Sequence, residues 1–431
     1  MKTDSIYKIL EDNGFRLSTD SRKVSEGDLF FALKGDNFDG NRYAGEALGK
    51  GAVAAVIDDP AVKADNTILV DNVTAELQAV ANKYRSSFDI PVLAITGSNG
   101  KTTTKELLAR ILSLKYTTHY TRGNLNNHIG VPLTLLACQQ GTEFMIVEMG
   151  ANHRAEIGHL CRVAEPGYGL ITNIGKAHLE GFSSFQGIID AKSELYDYLA
   201  DAGGTVFYNQ DDRLLTDLLD VRKVKKVAYI EPGSHRISVT EISQVPQLIV
   251  EAEIDGVGYT FETNLFGLYN LENVIAALSI GLYFDVDPEK MQRAIELYLP
   301  DNNRSQIFKT GKNTLICDSY NANPVSMSRS IDSFRNYPGE SKTVILGDML
   351  ELGDYAIGEH EEILRKLNSE NDLNIILVGP IFNSIAEKYN MLAFGSREQL
   401  MKYLIDNPLR DNLVLIKASR AIGLEKIYGL M

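Results

Sequence analysis

The sequence predicts an α/β protein of three domains: a small N-terminal α/β domain, a central phosphate-loop domain whose mostly parallel sheet carries an antiparallel section, and a C-terminal doubly wound domain. Three observations carry this expectation. The chain has 431 residues, enough for about three domains by length. Short continuous apolar runs alternate with helical patterns in separate stretches, as in parallel strands covered on both faces. In "AITGSNGKTTTKELL", Ala94 to Leu108, a Gly-rich turn leads from an apolar run into a helical pattern, the architecture of a phosphate-binding loop.

In chain order, the first domain spans residues 1–88. "GDLFFALKG" and "AVAAVID" read as buried strands, with helices around "RYAGEALGKG" and "TAELQAVANKYRSSF". The second domain spans 89–303. Pro91 opens it, "EFMIVEMG" and "YGLITNIG" repeat the buried-strand pattern, and between about Gly204 and Phe266 shorter alternating runs predict antiparallel pairing with a hairpin turn at Asp255 and Gly256. The polar stretch "PDNNRSQ" reads as a hinge. The third domain, 304–431, is Rossmann-like: "NTLICD", "KTVILGD", "NIILVG" and "NLVLIKAS" are strands separated by helices.

The formal net charge of -14 excludes a protein that grips nucleic-acid phosphates with a basic face, and no basic block is longer than "VRKVKK". No segment approaches the roughly 20 apolar residues of a membrane span, and the N-terminal stretch lacks the apolar core of a signal peptide, so no membrane insertion and a cytoplasmic location are expected. Cys138, Cys161 and Cys317 are widely spaced without a C-x-x-C pair, which points to buried free thiols and not to a disulfide or zinc framework.

In the Gly-rich turn, backbone N–H groups at a helix N-terminus present several donors to one anion, Gly97 and Gly100 permit close approach, and Lys101 adds a positive charge. Thr102 would place a hydroxyl on Mg²⁺. The usual pattern G-x-x-x-x-G-K-[ST] asks for Gly where this chain has Ile95. Glu148 and His178 each lie just beyond a strand, where open α/β sheets place ligands. Alone, each also suits a surface or hydrogen-bonded structural role. Lys192, in "DAKSELYD", reads as an exposed helix lysine. Asn270 and Asn273 stand three apart at a helix start, so their amides share a face and can meet an adenine edge, while Asn270 can equally cap the helix. Asp318 ends a strand and can accept ribose hydroxyls; Asn321 and Asn323 in the following turn can simply shape it.

"TGSNGKTTTKE" resembles the ATP loop of the Mur ligases, ATP-dependent amide-forming enzymes of bacterial cell-wall precursor synthesis, in which the departure at Ile95 is normal. The resemblance runs through all three domains in "STDSRKVSEGDLFFALKGDNFDGN", "GNLNNHIGVPLTLL", "VEMGANHRAEIGHL", "AHLEGF", "AKSELYD", "LYNLENVIAAL", "DSYNANP" and "ILGDMLELG". It implies ATP binding by Gly97, Ser98, Asn99, Gly100, Lys101, Thr102, Thr103, Asn270, Asn273, Arg304 and Asp318. It implies two Mg²⁺ ions held by Thr102, Glu148, His178 and a Lys192 converted by CO₂ into a carbamate. Arg304 would bring charge to the γ-phosphate, although its neighbour is Asn303 where the family often has Gly. Ser21, Arg22, Asn124, Asn126 and Asn127 would hold a uridine-nucleotide substrate. Lys101, Lys192 and His178 are the implied catalytic set.

The activity implied is joining D-alanyl-D-alanine to a UDP-N-acetylmuramoyl tripeptide through an acyl phosphate, by a monomer. Other members of the family, with other amino-acid partners, remain alternatives. Folylpolyglutamate synthetase shares the ATP machinery but lacks the uridine-nucleotide domain. A nucleotide-dependent switch is the alternative from another class; the N-K-x-D motif of a GTPase is absent from the sequence.

Overall fold

A computed structural model describes residues 2–35, 37–229, 237–243, 247–301, 303–368 and 373–431. The chain divides into two compact units. Residues 1–94, 117–151 and 155–169 form the first; residues 95–116, 152–154 and 170–431 form the second.

The first unit contains a four-stranded parallel sheet in the order Leu17–Ser18, Leu29–Phe31, Ala54–Ile57, Thr67–Leu69. Its central strands are buried throughout, and Phe30, Ala55 and Ile57 pack with Ala44 and Ala47 of the helix Ala44–Gly49. The helix Val73–Arg85 starts where the Asn72 side chain accepts the Ala75 N–H, satisfying one of the donors that every helix leaves unpaired in its first turn. Its last two residues are tied down: Tyr84 Oη donates to the Cys138 carbonyl at 2.7 Å, and Arg85 donates to the carbonyls of Ala164 and Glu165 at 2.9 and 3.2 Å. Thr118–Tyr120 and Phe144–Glu148 pair in parallel in the same unit.

In the second unit the C-terminal sheet has six strands in the order Gln306–Lys309, Asn313–Asp318, Asn412–Lys417, Lys342–Gly347, Asn374–Val378, Leu392–Phe394. All neighbours are parallel except the first pair. The chain order reverses around Asn412–Lys417, so the loops after Asp318, Gly347 and Lys417 meet at a switch point, the usual ligand crevice of a doubly wound sheet.

The antiparallel section is a three-stranded sheet of Ile237–Ser243, Ile249–Ile254 and Val257–Glu262. Its hairpin turns at Asp255 and Gly256, as expected, with φ of +52° and +83°, the backbone of a two-residue turn that matches strand twist. The section is shorter than the sequence suggested. Thr205–Tyr208 and Lys225–Ala228 pair in parallel, because the short helix Arg213–Asp220 between them carries the chain back to the same end, and a parallel pair requires such a crossover. The three cysteines are buried with free thiols. No helix among the described residues is long and apolar enough to cross a membrane.

Gly256→Ala should lower stability by about 1–2 kcal/mol through its left-handed backbone alone, since nothing lies within 4 Å of the added carbon. Urea unfolding would measure the loss, and turnover should be unchanged.

Candidate active site

The strand Val92–Thr96 is buried throughout and delivers the chain to Gly97, at φ +145°, and Gly100, at φ +83°. A side chain would not fit at either position: a Cβ on Gly97 would lie 2.0 Å from Thr172 Oγ1, and one on Gly100 2.3 Å from Asn273 Oδ1. The helix Lys101–Leu112 begins at Gly100 with no side-chain cap. Its first turn therefore keeps the backbone arrangement that binds phosphate. The loop is braced by the segment after the strand Tyr168–Ile171. Ser98 Oγ exchanges hydrogen bonds with the Gly175 carbonyl and N–H, both at 2.9 Å. The Asn99 carbonyl accepts from Thr172 Oγ1 at 2.6 Å and Asn173 Nδ2 at 3.0 Å. From the C-terminal sheet side, Asn323 Nδ2 donates to Asn99 Oδ1 at 2.7 Å, while Asn323 also caps the helix Pro324–Arg335. Thr102 and Thr103 are buried in the first helical turn.

Two lysines converge on one carbonyl. Lys101 Nζ donates to the Gly97 oxygen at 2.6 Å, and Lys192 Nζ donates to the same oxygen at 3.0 Å. Lys192 is 3% exposed, so the expected surface lysine is a buried one. Its pKa is pushed well below the ordinary lysine value, first by burial and then by the charge of Lys101, both of which disfavour a second ammonium. The signal was legible. In the helix Phe185–Ala202, Ile188, Leu195, Tyr196 and Leu199 form the buried stripe, and Lys192 falls on it at helical spacing.

Asn270 and Asn273 meet as their spacing requires, but their amides bind protein groups. Asn273 Nδ2 donates to Asn270 Oδ1 at 2.9 Å, and Asn273 Oδ1 accepts from Thr104 Oγ1 at 3.1 Å. Asn270 Nδ2 donates to the Phe266 carbonyl at 2.8 Å and to Ser305 Oγ at 3.0 Å, and its side chain does not cap the following helix. Ser305 N–H in turn donates to Asp318 Oδ1 at 3.1 Å, and Asp318 Oδ2 receives Lys417 Nζ at 2.6 Å and Ser330 Oγ at 3.3 Å. The Asp318 carboxylate thus faces inward, toward buried partners. Arg304 lies between Asn303 and Ser305, at φ +56° and +52°. Asn tolerates this left-handed backbone better than most residues, which accounts for Asn303 standing at a position suited to Gly. The Arg304 guanidinium lies over the Tyr320 ring, 3.8 Å from its centre.

His178 has φ +55°, and its Nδ1 lies against Glu351 Oε2. That contact holds the Glu351 carboxyl below the usual range. Nearby, Lys176 Nζ pairs with the buried Glu359 at 2.6 Å. Among the described residues no group of three or more His, Cys, Asp or Glu is placed to hold a metal. The residues of this unit nonetheless fit Mg²⁺ in a nucleotide site, which takes one or two protein oxygens plus phosphate oxygens: Thr102 supplies a hydroxyl at the loop.

In the first unit, Glu148 is buried at the end of Phe144–Glu148. Asn126 Nδ2 donates to its Oε1 at 2.7 Å, and its N–H donates to Thr121 Oγ1 at 3.0 Å. Asn127 Oδ1 accepts from the Gly130 N–H at 2.8 Å, a turn-shaping role, and Asn124 is exposed. Ser21 is buried; Arg22 is held by a bidentate pair with Asp20, at 2.9 and 2.8 Å, which lowers the Asp20 carboxyl to about 2. Thr172, Asn173, Lys417 and Glu351 are the residues that the sequence did not single out. Polar side chains directly after the apolar run "YGLI" were the available signal for the first two.

A phosphate loop flanked by a buried, charge-depressed lysine, set beside a doubly wound C-terminal sheet, defines an ATP-dependent ligase of the Mur type, and the chain belongs to the Mur ligase family. Residues 16–114 match the catalytic domain of that family, 95–281 the Mur ligase middle domain and 303–420 the glutamate ligase domain. The chain is 34% identical over 425 residues to the UDP-N-acetylmuramoyl-tripeptide–D-alanyl-D-alanine ligase of Bacillus subtilis, covering 95% of this chain and 92% of that protein. Its fold is similar to MurF from Acinetobacter baumannii, with a TM-score of 0.87, 30% identity and coverage of 96% and 92%. It is also similar to MurF from Thermotoga maritima in complex with ADP, with a TM-score of 0.83, 27% identity and coverage of 96% of each chain.

Lys192→Met should melt higher than the parent in CO₂-free buffer. The unfolded lysine binds its proton up to about pH 10.5, the folded one releases it earlier, so the parent gains stability as pH rises through that window. The variant should lack this rise, and calorimetry across pH 6–10 should show the gap closing toward the alkaline end.

Proposed function

We propose that this protein joins D-alanyl-D-alanine to a UDP-N-acetylmuramoyl tripeptide, with ATP activating the tripeptide carboxylate, as a cytoplasmic monomer. Domain boundaries at 88 and 303 follow from the same reading: uridine-nucleotide binding in residues 1–88, ATP in 89–303 and nucleotide closure by 304–431. The observation that carries the reading is the convergence of Lys101 and Lys192 on the Gly97 carbonyl. A phosphate loop alone fits many nucleotide enzymes, whereas a buried lysine disfavoured as an ammonium at its edge fits the carbamate that the family resemblance implies.

A carboxylate is a poor electrophile, and amide formation in water is uphill; transfer of the γ-phosphoryl group to the carboxylate supplies a leaving group. The carboxylate oxygen attacks phosphorus, ADP leaves, and the amine of D-alanyl-D-alanine then attacks the acyl carbon, losing a proton as phosphate departs. The charge problem lies in the first step, where two anions meet. Lys101, released from the Gly97 carbonyl toward phosphate, and Arg304 counter that charge, a task worth several kcal/mol in preorganised sites. Mg²⁺, when bound, supplies Lewis-acid neutralisation of the phosphates, and Thr102, Glu148, His178 and carbamylated Lys192 are the residues proposed to hold two such ions. Gly97, Ser98, Asn99, Gly100 and Thr103 shape the phosphate cradle. Asn270 and Asn273 are the residues proposed for the adenine edge, and Asp318 the residue proposed for the ribose hydroxyls. Ser21, Arg22, Asn124, Asn126 and Asn127 hold the uridine-nucleotide substrate; Arg22 suits diphosphate through its planar fork.

Phosphate release measured with ATP should require both the UDP-tripeptide and D-alanyl-D-alanine, and mass spectrometry should show the joined product; release with neither substrate would reject the ligase reading. Lys192→Ala should lose at least about 100-fold in kcat, and formate or acetate, but not chloride at equal ionic strength, should restore part of it by supplying the missing negative oxygens. A fully active alanine variant would remove the metal role of Lys192.

A further inference from the structure

The motif "ILGDMLELG" contributes no residue to the ATP or substrate sites proposed above, yet the structure builds it with care. After the strand Lys342–Gly347, three successive backbone N–H groups are held. Asp348 N–H donates to the Val378 carbonyl at 2.9 Å, Met349 N–H to His360 Nε2 at 3.0 Å, and Leu350 N–H to Ser419 Oγ at 2.8 Å. His360 is itself fixed, fully buried, with Nδ1 on the Ala356 carbonyl at 2.7 Å; the proton therefore sits on Nδ1 and leaves Nε2 to accept. Leu352 anchors the far side in the core. The residue this frame projects is Glu351, at φ +63°.

Glu351 meets the segment that carries His178. Its carbonyl accepts the Glu180 N–H at 3.2 Å, and its Oε2 pairs with His178 Nδ1. His178 is also in the left-handed region, at φ +55°. Two non-glycine residues held there, facing each other, are a local cost that persists only where surrounding structure imposes it. The Lys176–Glu359 pair, at 2.6 Å, clamps the same two segments a few residues away.

We infer that Glu351 is a positioning residue: it holds the Nδ1 proton of His178 and so turns the Nε2 lone pair outward for a divalent cation. The chemistry is that of a carboxylate behind a metal-binding imidazole, where the carboxylate fixes tautomer and ring orientation and strengthens the ligand; losing it typically costs 10–100-fold in metal affinity. The consequence is a link between the C-terminal sheet and the metal, because the carboxylate comes from one and the imidazole serves the other. This inference rests on the reading of His178 as a metal ligand.

The test is Mn²⁺ binding, followed by electron paramagnetic resonance, to the full-length enzyme with a non-hydrolysable ATP analogue, in the parent, Glu351→Ala, Glu351→Gln, His178→Ala and the double variant. Glu351→Ala should weaken Mn²⁺ binding about tenfold or more, lower kcat by a comparable factor and leave KM for the UDP-tripeptide within about twofold. Glu351→Gln, whose amide oxygen still accepts the Nδ1 proton, should fall between it and the parent. The double variant should be no weaker than His178→Ala alone. If His178→Ala weakens binding and Glu351→Ala does not, or if the two effects simply multiply, the positioning role is overturned while the ligand reading stands. Unchanged Mn²⁺ binding in His178→Ala overturns the ligand reading itself. A contact that only stabilised the fold would shift the melting temperature and leave Mn²⁺ affinity where it was.

Discussion

The active region depends on one oxygen. The Gly97 carbonyl is the acceptor for both Lys101 and Lys192, and burial together with a neighbouring positive charge disfavours the second ammonium. Lys101 sits at the loop and Lys192 in the interior, so the pKa of the interior one is pushed down. That asymmetry separates the two lysines: Lys101 stands at the loop, and Lys192 lies where burial and the charge of Lys101 disfavour its ammonium form. At Gly97 the backbone, at φ +145°, passes so close to Thr172 that no side chain would fit, and on this course its oxygen meets both lysines.

From this point a line of buried polar side chains leads outward. Thr104, Asn273, Asn270, Ser305, Asp318 and Lys417 are joined by successive hydrogen bonds, from the phosphate-loop helix to the last strand of the C-terminal sheet. All are buried. In such a chain every partner satisfies the next, and removing one leaves a donor or acceptor stranded in low dielectric. Its course through Ser305 fixes the backbone on one side of Arg304, and the Tyr320 N–H bond to the Asn303 carbonyl at 3.1 Å fixes the other. Arg304 is thereby aimed by its neighbours' backbone and by the ring beneath it, with no carboxylate neutralising it in the contacts described.

Much of this was legible in the sequence where one local rule governs the outcome. The Gly-rich turn, the left-handed Asp255–Gly256 corner and the buried C-terminal strands each follow from a short window. The parallel pairing of Thr205–Tyr208 with Lys225–Ala228 was not, because an eight-residue helix between short strands gives too weak a period to separate from alternation. Lys192 was misjudged by residue type although its helical position placed it on the apolar stripe. Asn323 reaching Asn99 across 224 positions, and Glu351 reaching His178, depend on how distant segments dock, and no local pattern encodes that. Asp318 shows the same limit from the other side: the strand end was read correctly, but the lysine that claims its carboxylate lies 99 residues on.

The helix Val73–Arg85 has an implication for how the chain is made. Its final turn is secured by the carbonyls of Cys138, Ala164 and Glu165, which lie 54 to 80 positions downstream. During synthesis these acceptors do not yet exist when the first ninety or so residues leave the ribosome. A guanidinium and a phenol destined for the interior therefore remain solvated, and the unit's first sheet must persist with one flank open until a further stretch of chain emerges. At a translation rate of about 5–20 residues per second this interval lasts several seconds, long compared with the formation of the helix itself. The N-terminal segment is thus exposed to chaperones and proteases in a half-finished state, and its completion is timed by elongation and not by its own folding rate.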